Sequence, residues 1–384
     1  MNPRELIFIS TAHGLGGGEH FAIELLRELQ GRGWSITLVC PPDALLLTEA
    51  SLPVLQDRVS LDLSAKIRQP LRLASALFHW IRFIRRRRTT LIYGNGFETL
   101  KWVAAAKKIR AALTVCHLHD SVFDCYDTPR ARMFSRKVDR FFAISETVRS
   151  AFHRGARVDL DRIALISNGV PIFSTKDEKI GGVRGELGLP ASAPLIVMVA
   201  RTDPLKGHET LLRAIPSVLA RHPDARFVFL GIEENSSLEK KLVEEWRRIV
   251  KESGIEGSVR FEPYRRDARR FMREADIAIV PSFAEGFGRT AIEAMAEETA
   301  VIASEIGGLA EIIVSGINGL LVPPSDAPAL AFAISSLLDE PPLRQQLAQG
   351  GRKSAEELYS TQTMVDRIER ELLRLAGVKE DSAP

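Results

Sequence analysis

The sequence is poor in cysteine and in long apolar runs, and each shortage removes a class of protein. Its three cysteines in 384 residues, Cys40, Cys116 and Cys125, form no CxxC pair and leave an odd count. They fit neither a disulfide framework nor a zinc site and read as small buried side chains. No stretch approaches the roughly 18 apolar residues of a membrane span. Met1-Asn2-Pro3-Arg4-Glu5 runs straight into a short strand pattern without the layout of a signal peptide, so a cytoplasmic protein is expected. A net charge of +3 is too small to signal nucleic acid, and no nucleic-acid partner is expected.

What is present is a chain with 45% hydrophobic and 26% charged residues, enough to bury full cores. Its length suits two domains at about 150 residues or more each. Charge is unevenly spread. Residues 1–180 hold 27 Lys and Arg against 18 Asp and Glu, an excess of +9; the remainder holds 25 against 31, or −6. The two halves should therefore meet different partners.

The first half alternates β-rich runs with helical patterns. Strands are expected at Leu6–Thr11, Ile36–Cys40, Thr90–Tyr93, Leu113–His117 and Arg140–Ile144. A second series follows at Leu195–Ala200, Phe227–Leu230, Val259–Phe261, Ile277–Pro281, Ala300–Ser304 and Gly319–Val322. This is the βαβ rhythm of parallel sheets covered on both faces. The Gly-, Pro-, Lys- and Asp-rich stretch between the two series places a linker at 176–193, with domains at 1–175 and 194–360. Thr361–Leu375 reads as an amphipathic helix.

The Gly-rich turn after the first strand does not complete a dinucleotide fingerprint. A G-x-G-x-x-G register from Gly14 meets Glu19, one from Gly16 meets Phe21, and the second strand ends in Cys40-Pro41-Pro42 where a ribose-binding acid belongs. The later loops say more. Arg201 and Lys206 follow a strand's carboxyl end, where open α/β sheets bind ligands, and suit a diphosphate. Ser282-Phe283-Ala284-Glu285-Gly286-Phe287-Gly288 leads from a strand into a helix that carries Glu293. Backbone N–H groups at Phe287–Thr290 are placed to hold an oxygen, and two carboxylates eight residues apart can each accept sugar hydroxyls. Gly307-Gly308-Leu309-Ala310-Glu311 opens a further helix. Cys116-His117-Leu118-His119-Asp120 closes a strand, with His119 expected to face the cleft, His117 the opposite face, and no arrangement suited to a metal.

Together these residues resemble retaining glycosyltransferases of family 4, whose GT-B fold has two Rossmann-like parallel-sheet domains around a cleft. The resemblance runs through Gly16-Gly17-Gly18, His119-Asp120, Ser145-Glu146-Thr147-Val148-Arg149, Asn168-Gly169-Val170, Arg201 with Lys206-Gly207, the Glu285/Glu293 pair and Gly307-Gly308-x-x-Glu311. It implies an acceptor-binding domain at 1–175, to which the helix 361–377 returns, and a donor-binding domain at 194–360. It also implies roles. Glu293 would hold the nucleotide ribose, and Glu285 with Gly286, Phe287 and Gly288 the donor sugar. Arg201 and Lys206, with backbone at Leu309 and Ala310, would bind the diphosphate. His119 would approach the donor from the first domain, beside Gly17 and Gly18. Two departures border the nucleotide end: Gly231-Ile232-Glu233 where relatives show Gly-x-Gly, and Phe261-Glu262-Pro263-Tyr264 where Phe-x-Gly is common.

The mechanism so implied needs no cofactor and no metal. A UDP- or GDP-sugar is the expected co-substrate, and the departing phosphate takes the acceptor proton on the face that is attacked. The Leu71–Arg88 segment combines apolar positions with Arg85-Arg86-Arg87-Arg88. It suggests peripheral contact with an anionic membrane at its inner face, and an acceptor that is a cell-envelope glycan, a lipopolysaccharide or a lipid-linked sugar. Two other readings stay open: a GT-B epimerase-like enzyme and a non-catalytic nucleotide-sugar-binding protein.

Overall fold

Short apolar runs bounded by glycine and polar turns build most strands among the described residues. The computed structural model describes residues 4–14, 16–46, 57–61, 63–64, 69–87, 91–110, 112–119, 124–173 and 182–378. These divide into two units, Met1–Gly169 with Thr361–Pro384, and Val170–Ser360.

Unit 1 carries β1 (Glu5–Ile9), β2 (Ser35–Cys40), β3 (Asp57–Ser60), β4 (Leu91–Asn95), β5 (Leu113–Leu118), β6 (Arg140–Ala143) and β7 (Ile163–Leu165). They form one parallel sheet in the order β3-β2-β1-β4-β5-β6-β7. Every residue of β4 is buried, because helices cover both faces of a central parallel strand. The edge strands β3 and β7 have four and three residues and were not expected from the sequence. Their polar or very short runs carry little apolar signal, as befits edges.

Helix Thr361–Leu375 belongs to this unit. Its apolar stripe Met364, Val365, Ile368 and Leu372 enters the core of Phe8, Phe21, Leu25 and Leu26. On its flank Glu369 accepts from Arg32 Nη1 at 2.8 Å and from Trp34 Nε1 at 2.7 Å. The carboxyl-terminal helix thus returns to the first sheet, as expected.

Unit 2 carries β8 (Leu195–Val199), β9 (Arg226–Leu230), β10 (Val259–Glu262), β11 (Ile277–Val280), β12 (Ala300–Ser304) and β13 (Leu320–Val322). They run parallel in the order β10-β9-β8-β11-β12-β13. Ile196, Met198, Leu211, Phe227, Phe229 and Trp246 centre its core.

Of the expected linker at 176–193, residues 176–181 lie outside the described residues. The rest is fastened to unit 2: Arg184 donates to the carbonyls of Ala193 and Glu274 and pairs with Asp276 at 2.9 Å. Val170–Phe173 is also held there, since Val170 N donates to Tyr359 O at 2.8 Å and Arg269 Nη1 to Pro171 O at 2.7 Å. The structural division therefore falls after Gly169. No helix among the described residues is long and apolar enough to cross a membrane.

Candidate functional site

In an open parallel sheet the natural crevice lies beyond the strands' carboxyl ends, where the strand order reverses. Unit 1 reverses between β1 and β4, and unit 2 between β8 and β11. The residues singled out from the sequence occupy the loops that leave those strands and their neighbours.

In unit 2, Asp203 caps the short turn Pro204–Lys206, its carboxylate accepting from Leu205 N at 2.9 Å. Gly207 then enters the helix His208–Leu219 with φ +75. A Cβ there would lie 1.9 Å from the Pro281 carbonyl oxygen, so only glycine lets this turn press against the end of β11. The turn aims Lys206 at Glu285: Nζ donates to Oε2 at 2.8 Å, with side chains 22% and 16% exposed. Phe283 N donates to Leu205 O at 2.8 Å and ties the two loops together.

The glycine pair makes a third loop part of the same knot. Gly308 N donates to Glu285 O at 3.0 Å. A Cβ at Gly308 would meet Phe287 Cα at 2.4 Å, and one at Gly288 would meet the Leu309 side chain at 2.5 Å. Lys206, Glu285–Gly288 and Gly307–Leu309 are therefore brought together. Arg201 stands at the rim with its side chain 75% exposed and Asp203 at 3.7 Å.

Two assigned groups arrive already engaged. Glu293 Oε1 accepts from Arg289 Nε, one helical turn earlier, at 2.8 Å. Leu309 and Ala310 N–H groups both turn to Ile306 O, at 3.1 and 3.4 Å, the second a long and weak bond. The departure at Gly231-Ile232-Glu233 is tied into the same region, where Glu233 N donates to Thr202 Oγ1 at 2.7 Å.

Unit 1 gathers a different set. Gly17 and Gly18 begin the helix Gly17–Gly31. Asn95, the last residue of β4, donates from Nδ2 to Gly18 O at 3.1 Å, and its Oδ1 lies 2.9 Å from His119 Nε2. With the amide nitrogen so engaged, Oδ1 is the acceptor, and His119 carries its proton on Nε2. Its Nδ1 is enclosed and has no partner among the described residues. Burial pulls the His119 pKa down to about 3, so the ring is neutral at pH 7 and acts as a hydrogen-bonding group. Asp120 lies outside the described residues.

His117 corrects the sequence reading. It shares a face with His119, the two rings stacking at 4.3 Å, because residues two apart on a strand point the same way. The Tyr93 hydroxyl pairs with its Nδ1. Burial raises the Tyr93 phenol well above its ordinary value and lowers His117 well below its own. Asn95 was missed altogether. Its signal was an Asn between two glycines, Gly94 and Gly96, at a strand's carboxyl end. Among the described residues no three His, Cys, Asp or Glu side chains gather as metal ligands.

Comparison with known proteins agrees with this layout. A family model described as Glycosyltransferase Family 4 matches residues 15–172, and one described as Glycosyl transferases group 1 matches residues 183–354. D-inositol 3-phosphate glycosyltransferase 2 of Catenulispora acidiphila is 34% identical over 224 residues, 57% of this chain and 51% of that protein. The D-inositol 3-phosphate glycosyltransferase of Frankia alni is 32% identical over 242 residues, 60% and 59% of the two chains. This chain spans about half the length of the curated relatives it matches. Among solved structures, HepE of Anabaena in complex with UDP and glucose superposes with a TM-score of 0.83 at 23% identity, covering 96% of this chain and 98% of that one. The lipopolysaccharide outer core galactosyltransferase WaaB gives 0.72 at 15% identity over 96% and 99%. These structural likenesses establish the GT-B fold.

Proposed function

The chain belongs to glycosyltransferase family 4, with the GT-B fold, and from that premise we propose that it moves a sugar from a nucleotide diphosphate to an acceptor hydroxyl with retention of configuration. The observation that carries the proposal is the Lys206–Glu285 pair at 2.8 Å, locked by Gly207 and Gly308. A cation and a carboxylate held side by side suit a ligand with phosphate at one end and sugar hydroxyls beside it.

Arg201 and Lys206 stabilise the negative charge that grows on the diphosphate as the sugar C1–O bond breaks. The acceptor oxygen forms its new bond to C1 on the same face. Its proton passes to the departing phosphate oxygen, so no ionisable side chain and no metal is assigned that step. Glu285 orients the sugar, Glu293 the ribose, and neutral His119, its Nε2–H held by Asn95, offers Nδ1 as an acceptor without adding charge. UDP is the favoured nucleotide, since a structural neighbour was solved with UDP and glucose.

The acceptor is an anionic or membrane-borne hydroxyl compound. Support comes from the positive excess of the first half, from curated relatives that act on D-inositol 3-phosphate by name, and from helix Pro70–Arg86. That helix buries only Trp80 and Ile84 and has no acidic residue, while Leu71 and Phe78 are 86% and 62% exposed. Arg72, Arg82, Arg85 and Arg86 share its exposed surface, a combination that lies on anionic lipid. Arg88, the end of the expected cationic run, lies outside the described residues.

The test of the donor reading is hydrolysis of UDP-glucose and thermal stabilisation by UDP with purified protein. A parent that shows neither, with UDP-, GDP- or ADP-sugars alike, overturns it. For the membrane, a variant with Arg85, Arg86 and Arg87 neutralised should sediment less with anionic vesicles; equal sedimentation rejects the contact.

A further inference from the structure

Unit 1 has a second concentration of chemistry at the opposite end of its sheet. A cavity of ≈ 550 Å³ opens among Lys107, Lys108, Arg136, Lys137, Asp139 and Arg162. Lys107 and Lys108 close the helix Leu100–Arg110 just before β5, Arg136 and Lys137 lie just before β6, and Arg162 immediately precedes β7. All therefore sit at the amino ends of the strands, whereas Asn95 and His119 lie at the carboxyl ends. The length of β5, Leu113–Leu118, separates the two places by about 20 Å.

The lone carboxylate here is already taken. Asp139 accepts from Lys107 Nζ at 2.8 and 2.9 Å, from Thr114 N at 2.9 Å and from Thr114 Oγ1 at 2.8 Å. Arg162 is also structural: it donates to the carbonyls of Ser135 and Val138, with its guanidinium 5.8 Å from the Phe141 ring centroid. Lys108, Arg136 and Lys137 are different. All three are exposed, and among the described residues none of their side chains makes an ion pair or hydrogen bond. Several arginines elsewhere in this unit find acids: Arg4 and Arg32 pair with Glu369, Arg132 with Asp127, Arg140 with Glu371 and Arg149 with Glu146.

We propose that this cavity is an anion site, separate from the donor site, for a ligand bearing two or more phosphate groups. Three uncompensated cations, Lys108 at a helix end and Arg136 and Lys137 in the turn before β6, repel one another when the site is empty, and a polyphosphate removes that repulsion while gaining charge-assisted hydrogen bonds. The volume lies within the range of small-molecule sites, about 300–1,000 Å³, and exceeds a single phosphate. Lys107 and Arg162, fixed by their own partners, give the site preformed walls. The same chemistry is offered by a soluble phosphorylated metabolite and by phosphate headgroups of a lipid surface.

The experiment uses the full chain, the triple variant Lys108→Ser/Arg136→Ser/Lys137→Ser, and Lys206→Ala as a control for the donor site. Inorganic pyrophosphate is titrated calorimetrically, and vesicles with and without phosphatidylglycerol are sedimented. If the ligand is soluble, the triple variant binds pyrophosphate at least tenfold more weakly at one site that Lys206→Ala retains. If it is a lipid headgroup, pyrophosphate binding is unchanged and sedimentation with phosphatidylglycerol vesicles falls by the same factor, while Arg85→Ser/Arg86→Ser leaves the remaining difference intact. Equal behaviour of parent and triple variant with both probes overturns the proposal. The three side chains are exposed, so a melting temperature within about 2–3 °C of the parent shows that any loss is not unfolding.

Discussion

Removing the Lys206 ammonium should separate the structural role of one ion pair from the donor-binding role proposed for it. Lys206 Nζ lies 2.8 Å from Glu285 Oε2, with side chains 22% and 16% exposed. That places the pair between a surface bridge, worth about 0–1 kcal/mol, and a buried one, whose breaking costs about 3–5 kcal/mol. Lys206→Met should therefore destabilise the protein by about 1–3 kcal/mol, lowering its melting temperature by about 2–10 °C. A lost charge-assisted bond to phosphate, about 1.5–3 kcal/mol, should weaken UDP binding about 10- to 150-fold. Glu285→Gln keeps the shape but removes the charge. It should leave UDP affinity within about threefold while transfer falls at least 100-fold, on the scale of lost transition-state contacts. Calorimetric UDP titration and sugar-release assays on both single variants and the double variant give the cycle. Were Lys206→Met to bind UDP as tightly as the parent, the diphosphate assignment would be wrong. Strictly additive stability effects would deny the pair itself.

Three further outcomes are expected. Gly207→Ala should destabilise by more than about 3 kcal/mol, because its Cβ would fall 1.9 Å from Pro281 O at φ +75; a melting temperature within 2 °C of the parent would refute that geometry. Asn95→Leu removes the acceptor that holds His119 Nε2 at 2.9 Å; turnover should fall about tenfold or more with UDP affinity unchanged, and unaltered turnover would leave Asn95 without a positioning role. His208, stacked on Trp246 at 4.1 Å, has its pKa lowered from 6.5 to about 3 chiefly by burial. The unfolded chain binds a proton there that the folded chain refuses, so stability present above pH 6.5 is lost as pH falls toward 3, by up to about 1.4 kcal/mol per pH unit. Urea melts of His208→Phe between pH 4 and 7 should show a shallower acid slope; the parent's slope retained in the variant would rule the histidine out.

The fold was legible because its central strands are continuous apolar runs between glycine-bearing turns, and those runs need no tertiary help to be seen. Ile277–Val280 and Ala300–Ser304 are buried at every position. Asp57–Ser60 and Ile163–Leu165 escaped because an edge strand owes its hydrogen bonds to a neighbour more than to its own side chains. The His117 error was one of counting: alternation separates neighbours, and His119 is two residues on. Asn95 escaped for a deeper reason. Its importance comes from what two other loops bring to it, Gly18 O on one side and His119 on the other, and no spacing along the chain encodes that meeting.

The same reasoning explains why Glu285 was legible although Glu pairs are common. A carboxylate on a mobile loop could not fix a sugar ring, the role proposed for Glu285. This one is fixed from three sides by backbone that only glycine permits: Gly207 against Pro281, Gly307 with φ +48 against Glu285 O, and Gly308 against Phe287. Each contact would be closed by a single Cβ. The glycines near Lys206 and in the Gly307-Gly308 pair are thus the part of the site that the sequence states outright, because close backbone approach leaves one residue type. Arg201 has no such constraint. At 75% exposure its guanidinium is free to reorient, so the diphosphate role proposed for it rests on the ligand more than on the fold.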